Sequence, residues 1–78
     1  MIEKFYGIEL HDVKYNLEVD PVVKLLQMVL NQIGYDCGKV DGQAGSKTMA
    51  AVTKVNLKAQ IGSSICCSQT WEYILNKL

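Results

Sequence analysis

A loop-and-helix phrase occurs twice in this 78-residue chain, and that doubling constrains its fold more than any single motif. Residues 40–52 read VDGQAGSKTMAAV and residues 62–74 read GSSICCSQTWEYI. Aligned without gaps, Ser46 falls on Ser68 and Thr48 on Thr70. The turn glycines Gly42 and Gly45 fall on Ser64 and Cys67, so the second loop is the degenerate copy. Each copy runs from a turn into an apolar, helix-like segment. Two such units predict a small helical domain with two similar loops.

Local signals place three helices. Asp20 can accept from the first free backbone amides, and Pro21 lacks the donor that would be orphaned there. The first helix is expected over 21–33, with Val22, Leu25, Leu26, Val29, Leu30 and Ile33 as its apolar stripe. Lys24, Gln27, Asn31 and Gln32 fall mostly outside that stripe. Gly34 suits a left-handed C-terminal position. Gly45 or Ser46 caps a second helix running to about Ala59, burying Met49, Ala51, Val52, Val55 and Ala59. A third starts at Ser68 or its neighbour and runs to about Lys77, with Trp71, Ile74, Leu75 and Leu78 apolar. Short amphipathic helices must bury their stripes on one another, which gives an all-α, compact three-helix bundle.

Residues 1–20 have a different texture and read as an N-terminal extension or linker, leaving 21–78 as the domain. Val13, Tyr15, Leu17 and Val19 alternate with Lys14, Asn16, Glu18 and Asp20, the period of an extended strand. A lone strand needs a partner. Phe5, Tyr6, Ile8 and Leu10 folding back around His11-Asp12, or a second chain in a homodimer, are the alternatives. Phe5, Tyr6 and Tyr15 are expected to cover the bundle or an interface.

The stretch from Val23 to Leu75 resembles a peptidoglycan-binding domain of the three-helix type. The residues that carry the resemblance are Leu26-Gln27, Leu30-Asn31, Gly34-Tyr35, Val40-Asp41-Gly42, Gly45, Thr48, Ala51-Val52 and Thr70-Trp71. The chain departs from the family pattern at Val55-Asn56, where Phe-Gln is usual, and at Ser64 and Cys67, where glycines are usual. The resemblance implies a non-catalytic module that anchors a linked hydrolase of the endolysin or autolysin kind to the bacterial wall. Its partners would be peptidoglycan, both glycan and stem peptide, and that catalytic domain.

Bulk properties narrow the remaining classes. Formal net charge is zero, which gives no drive toward nucleic acid or acidic membranes. No apolar run approaches the ~20 residues of a membrane span, and no signal-peptide pattern is visible. Cys37, Cys66 and Cys67 fit neither a zinc template nor an even disulfide framework, and His11 is the single histidine. Reduced thiols are the plain expectation; one disulfide stapling the two loops is the sharper one. No cofactor is implied. A Cys37-Gly38 phrase also admits an inhibitory zinc-peptidase propeptide as a distant alternative, after an interaction or oligomerisation module. Neither a His-Glu-x-x-His nor a nucleophile-elbow phrase occurs.

The candidate ligand-binding residues are Tyr35, Asp41, Gly42, Gln43, Gln69 and Trp71. Asp41 offers acceptors to hydroxyls or amides, or else only holds its turn. Gln43 supplies donor and acceptor together. Gln69 matches Lys47 in the repeat. Tyr35 and Trp71 offer ring faces for a sugar, with core packing the stronger role for Trp71. Thr48 and Thr70 recur in the first turns of their helices, which points to a structural role.

Overall fold

Asp20 opens the helical part of the chain. In the computed structural model, which describes residues 4–5 and 8–78, its Oδ1 accepts from the Val22 amide at 2.8 Å and Pro21 is the first helical residue. Helix α1 spans Pro21–Gln32, α2 Ser46–Lys58 and α3 Ser68–Leu75. Before them lies a minimal antiparallel ladder, β1 (Lys4–Phe5) with β2 (Ile8–Glu9), in which Phe5 faces Ile8.

The core is the space between the three helices. From α1 it takes Val22, Val23, Leu25, Leu26, Val29 and Leu30; from α2, Ala51, Val52 and Val55; from α3, Trp71 and Ile74. Burying each of the larger aliphatic side chains stabilises the fold by roughly 1.5–3 kcal/mol. Ile33, Met49 and Leu75 pack at its margin. Leu78 is 58% exposed, so the apolar face of the third helix ends at Leu75. Gln27 departs from the expected polar face: it is 1% exposed, because it follows Val23 by four residues and precedes Leu30 by three.

Helices α1 and α2 stop in the same way. After α1, Tyr35 N donates to Leu30 O (2.8 Å) and Gly34, at φ +99°, donates to Asn31 O. After α2, Ile61 N donates to Asn56 O (2.8 Å) and Gln60, at φ +58°, donates to Leu57 O. Both are Schellman closures, which satisfy carbonyls left over at a helix end. The second uses a glutamine where glycine is the usual solution.

The extension is not the regular strand its alternation predicts. Only Val13 is buried; Tyr15, Leu17 and Val19 are 59%, 53% and 63% exposed. Nor does it fold back around His11-Asp12, since Phe5 pairs with Ile8 instead. Tyr6 and the side chain of Phe5 lie outside the described residues. The segment is a strap across both loops. Val13 exchanges two backbone hydrogen bonds with Cys66, and Asn16 exchanges two with Ala44. Cys66 and Ala44 are equivalent positions of the repeat. Asp20 N then donates to Gly42 O (3.0 Å), and the His11 carbonyl accepts from the Trp71 indole (3.0 Å). His11 Nε2 also sits 2.9 Å from Asp20 Oδ2.

Candidate functional site

Two carboxamides of α1 shape the first loop. Asn31 ties its near half: Oδ1 accepts from Cys37 N (2.8 Å) and Nδ2 donates to Gly38 O (3.0 Å). Gln27 ties its far half: Oε1 accepts from Gly42 N (2.9 Å), while Nε2 lies 3.0–3.1 Å from Asp41 Oδ1, Gln43 O and Thr48 Oγ1. Three acceptors share two amide hydrogens, so the far half is held by a branched network. Gly42 permits this packing. It is buried at φ +82°, and a Cβ there would meet Val19 Cγ1 at 2.9 Å and Asp20 N at 3.3 Å.

Asp41 is exposed and structural at once. Its Oδ1 accepts from Gln43 N (2.9 Å) and from Gln27. Those bonds, the Gln43 amide first and the Gln27 carboxamide second, hold its carboxyl below the usual carboxylate range.

Between this loop and the start of α2 lies a groove of about 370 Å³, lined by Gln27, Cys37, Gly38, Lys39, Asp41, Gln43 and the Gly45–Thr48 turn. Gly45 caps α2 with no side-chain hydrogen bond, so the amides of that first turn have no side-chain partner at the cap. Gln43 is exposed beside them. The groove therefore offers backbone and carboxamide donors, a carboxylate acceptor, and the ammonium groups of Lys39 and Lys47. A larger hollow of about 470 Å³, lined by Leu25, Met28, Val29, Val40 and Leu78 together with Asn31 and Gln32, is mostly apolar and has no charged side chain in its wall.

Of the six candidate residues, Asp41, Gly42 and Gln43 come together in this loop, with Gly42 inside it rather than on the groove wall. Tyr35 lies across the turn in a separate cleft with Ile33, Lys58, Tyr73 and Lys77. Gln69 is exposed on the first turn of α3 and does not line the groove. Trp71 presents no ring face: it is 1% exposed, with its indole N–H committed to the His11 carbonyl. Sequence reasoning missed Gln27, Asn31, Lys39 and Lys47. The spacing of Gln27 from Val23 and Leu30 was the available signal for the first of these.

The second loop repeats the first with shorter parts. Asn56 Nδ2 donates to Ser63 O (2.8 Å) and Ile65 O (2.9 Å), and its Oδ1 accepts from Thr70 Oγ1 at 2.6 Å. Ser63 Oγ accepts from Ile65 N (3.2 Å), as Asp41 accepts from Gln43 N.

All three cysteines are free, so the loops carry no disulfide staple. Cys37 turns inward against Gln27 O (3.4 Å) and Asn31 Oδ1 (3.3 Å), and burial, then the neighbouring Asp36, pushes its thiol pKa up. A buried, protonated thiol of this kind is poorly suited to the metal-blocking role of an inhibitory propeptide. Burial also raises Cys66. At Cys67 burial acts upward too, but hydrogen bonds from Thr70 and neighbouring groups outweigh it and lower the thiol.

No helix among the described residues is long and apolar enough to cross a membrane. No curated protein and no solved structure matches the chain. A family model described as a predicted peptidoglycan domain matches residues 21–76, from the proline that opens α1 to the residue that closes α3. The motif residues Gln27, Asn31, Asp41, Gly42 and Thr48 are those that build and brace the first loop, and the chain belongs to this peptidoglycan-domain family.

Proposed function

We propose that this chain is a non-catalytic wall-binding module that holds a linked hydrolase, of the endolysin or autolysin kind, on peptidoglycan. The observation that carries the reading is the first-loop groove inside a family-matched domain. It combines uncapped amides of α2 with the exposed Gln43 carboxamide and the Asp41 carboxylate. Acetamido groups, sugar hydroxyls and peptide amides are themselves mixed donors and acceptors, so they pair with such a surface. Helix N-termini favour carbonyl and carboxylate oxygens. Binding of this shallow kind is weak for one site. It still concentrates an attached catalytic domain at an insoluble substrate, because the second encounter becomes intramolecular.

The test is co-sedimentation with purified sacculi. Wild-type chain is expected in the pellet and a Gln43→Ala/Lys47→Ala variant largely in the supernatant, with both giving the same folded circular-dichroism spectrum. Equal pelleting of both removes the groove from the account. Failure of the folded wild type to pellet contradicts wall binding itself.

A further inference from the structure

The cleft around Tyr35 has a chemistry distinct from the first-loop groove. Its walls are Ile33, Tyr35, Lys58, Tyr73 and Lys77, enclosing about 290 Å³. Every charged residue in it is a lysine. The three apolar or aromatic members are half-buried, and both lysines are exposed. Lys77 Nζ stands 5.0 Å from the centre of the Tyr73 ring, a cation–π distance that keeps the ammonium at the rim. Two acids adjoin cleft residues in sequence: Asp36 accepts from Gly38 N at 2.9 Å and lies 3.8 Å from Lys47 Nζ, and Glu72, next to Tyr73, does not line the cleft. The cleft thus presents two lysines and two aromatic rings, and neither ammonium is in an ion pair among the described residues.

Its position links it to the groove. Tyr35 lines the cleft, and Cys37 and Gly38 line the groove, so the two hollows flank one turn.

We propose that this cleft is a second subsite, which takes a free carboxylate of the peptidoglycan stem peptide while the first-loop groove holds the neighbouring amide and sugar groups. The inference rests on the wall-binding reading above. Half-buried rings suit an anion carried on a bulky, partly apolar body, because apolar contact and charge pairing then act together. A polymeric phosphate is disfavoured, since the chain has zero formal net charge and offers only two cations here. The cleft lies at the helix ends: Ile33 is the C-cap of α1, Lys58 the last residue of α2, and Lys77 follows α3. Helix C-termini carry partial negative charge, so these lysines have a structural use as well. The test must separate the two.

Calorimetric titration of the whole chain does so, using a soluble disaccharide–tripeptide and the same fragment with its peptide carboxylates converted to carboxamides. The expected result is weaker binding of the amidated fragment by roughly fivefold, the size of two exposed charge pairs of ordinary strength. A Lys58→Gln/Lys77→Gln variant is expected to lose that preference, binding both fragments as wild type binds the amide. A purely structural role would lower the melting temperature and leave the acid-to-amide ratio intact, which overturns the inference. Loss of binding in Gln43→Ala with no carboxylate preference in wild type overturns the inference alone. Absence of binding to either fragment by folded wild type overturns the wall-binding reading with it. A response to poly(glycerol phosphate) but not to the tripeptide fragment overturns the ligand assignment.

Discussion

The buried carboxamides of Gln27 and Asn56 each bridge a helix to the loop after it and to a threonine at the third position of the next helix. Gln27 Nε2 lies 3.0 Å from Thr48 Oγ1, and Thr70 Oγ1 donates to Asn56 Oδ1 at 2.6 Å. The same carboxamides meet the carbonyls of Gln43 and Ile65, which coincide in the repeat. The two loop–helix units therefore share a hydrogen-bond plan as well as a sequence phrase. In the second, asparagine stands in the part that glutamine plays in the first, and its shorter arm serves a shorter loop.

Truncating either carboxamide leaves buried backbone groups without partners. Gln27→Ala is expected to destabilise the fold by about 3 kcal/mol and Asn56→Ala by about 2 kcal/mol. In a chain of this length, that lowers Tm by roughly 10–20 °C. Thermal denaturation followed by circular dichroism checks it; a change within 2 °C or so for Gln27→Ala would contradict the bridging role.

Backbone conformation gives a pair of opposite predictions. Gly42→Ala places a methyl group 2.9 Å from Val19 Cγ1 at φ +82°, and is expected to cost about 2 kcal/mol. Gln60→Gly relieves a left-handed residue at φ +58° that is exposed, and is expected to stabilise by about 0.5 kcal/mol. Urea unfolding of both variants reads the signs directly.

Local chemistry was the legible part of this chain. Asp20-Pro21 announced the start of α1, Gly34 its end, and the recurrence of Thr48 and Thr70 a structural role. Each rests on interactions within a few residues. The inward setting of Gln27 was harder, because a polar residue counts against burial unless its partners are known, and those lie up to 21 residues away. The strap was harder still. Val13 and Asn16 pair with Cys66 and Ala44 across the fold, and alternation within 13–19 says nothing about partners so distant. At the candidate site, the loop residues Asp41 and Gln43 were readable, whereas the burial of Trp71 and the separate cleft of Tyr35 follow from tertiary packing.

The cysteines should differ in reactivity. Cys67 is half-buried with a lowered pKa, while Cys37 and Cys66 are buried with raised ones. Because the thiolate is the nucleophile, iodoacetamide at neutral pH is expected to modify Cys67 first, by at least about tenfold in rate. Peptide mapping of the singly alkylated protein identifies the site; initial modification at Cys37 would contradict the inward packing of the first loop.

Asp41 should make the first loop acid-sensitive. Its folded pKa lies below the ordinary value of about 3.9, so its stabilising bonds are fully present above that value and are lost as pH falls through the folded pKa. The Gln43 amide resonance is expected to titrate with a midpoint below about 3.9, and Asp41→Asn to abolish that step. A midpoint at or above the ordinary value would mean the Gln43 and Gln27 bonds do not favour the charged carboxylate.

The most direct test of the account is a 1H–15N spectrum of the labelled chain, titrated with soluble disaccharide–peptide fragments of peptidoglycan. Saturable shifts are expected at Gly38, Gln43, Ser46 and Lys47, with the second loop from Ser63 to Cys67 unmoved. A dispersed, folded spectrum that does not change, or shifts confined to the second loop, would contradict it.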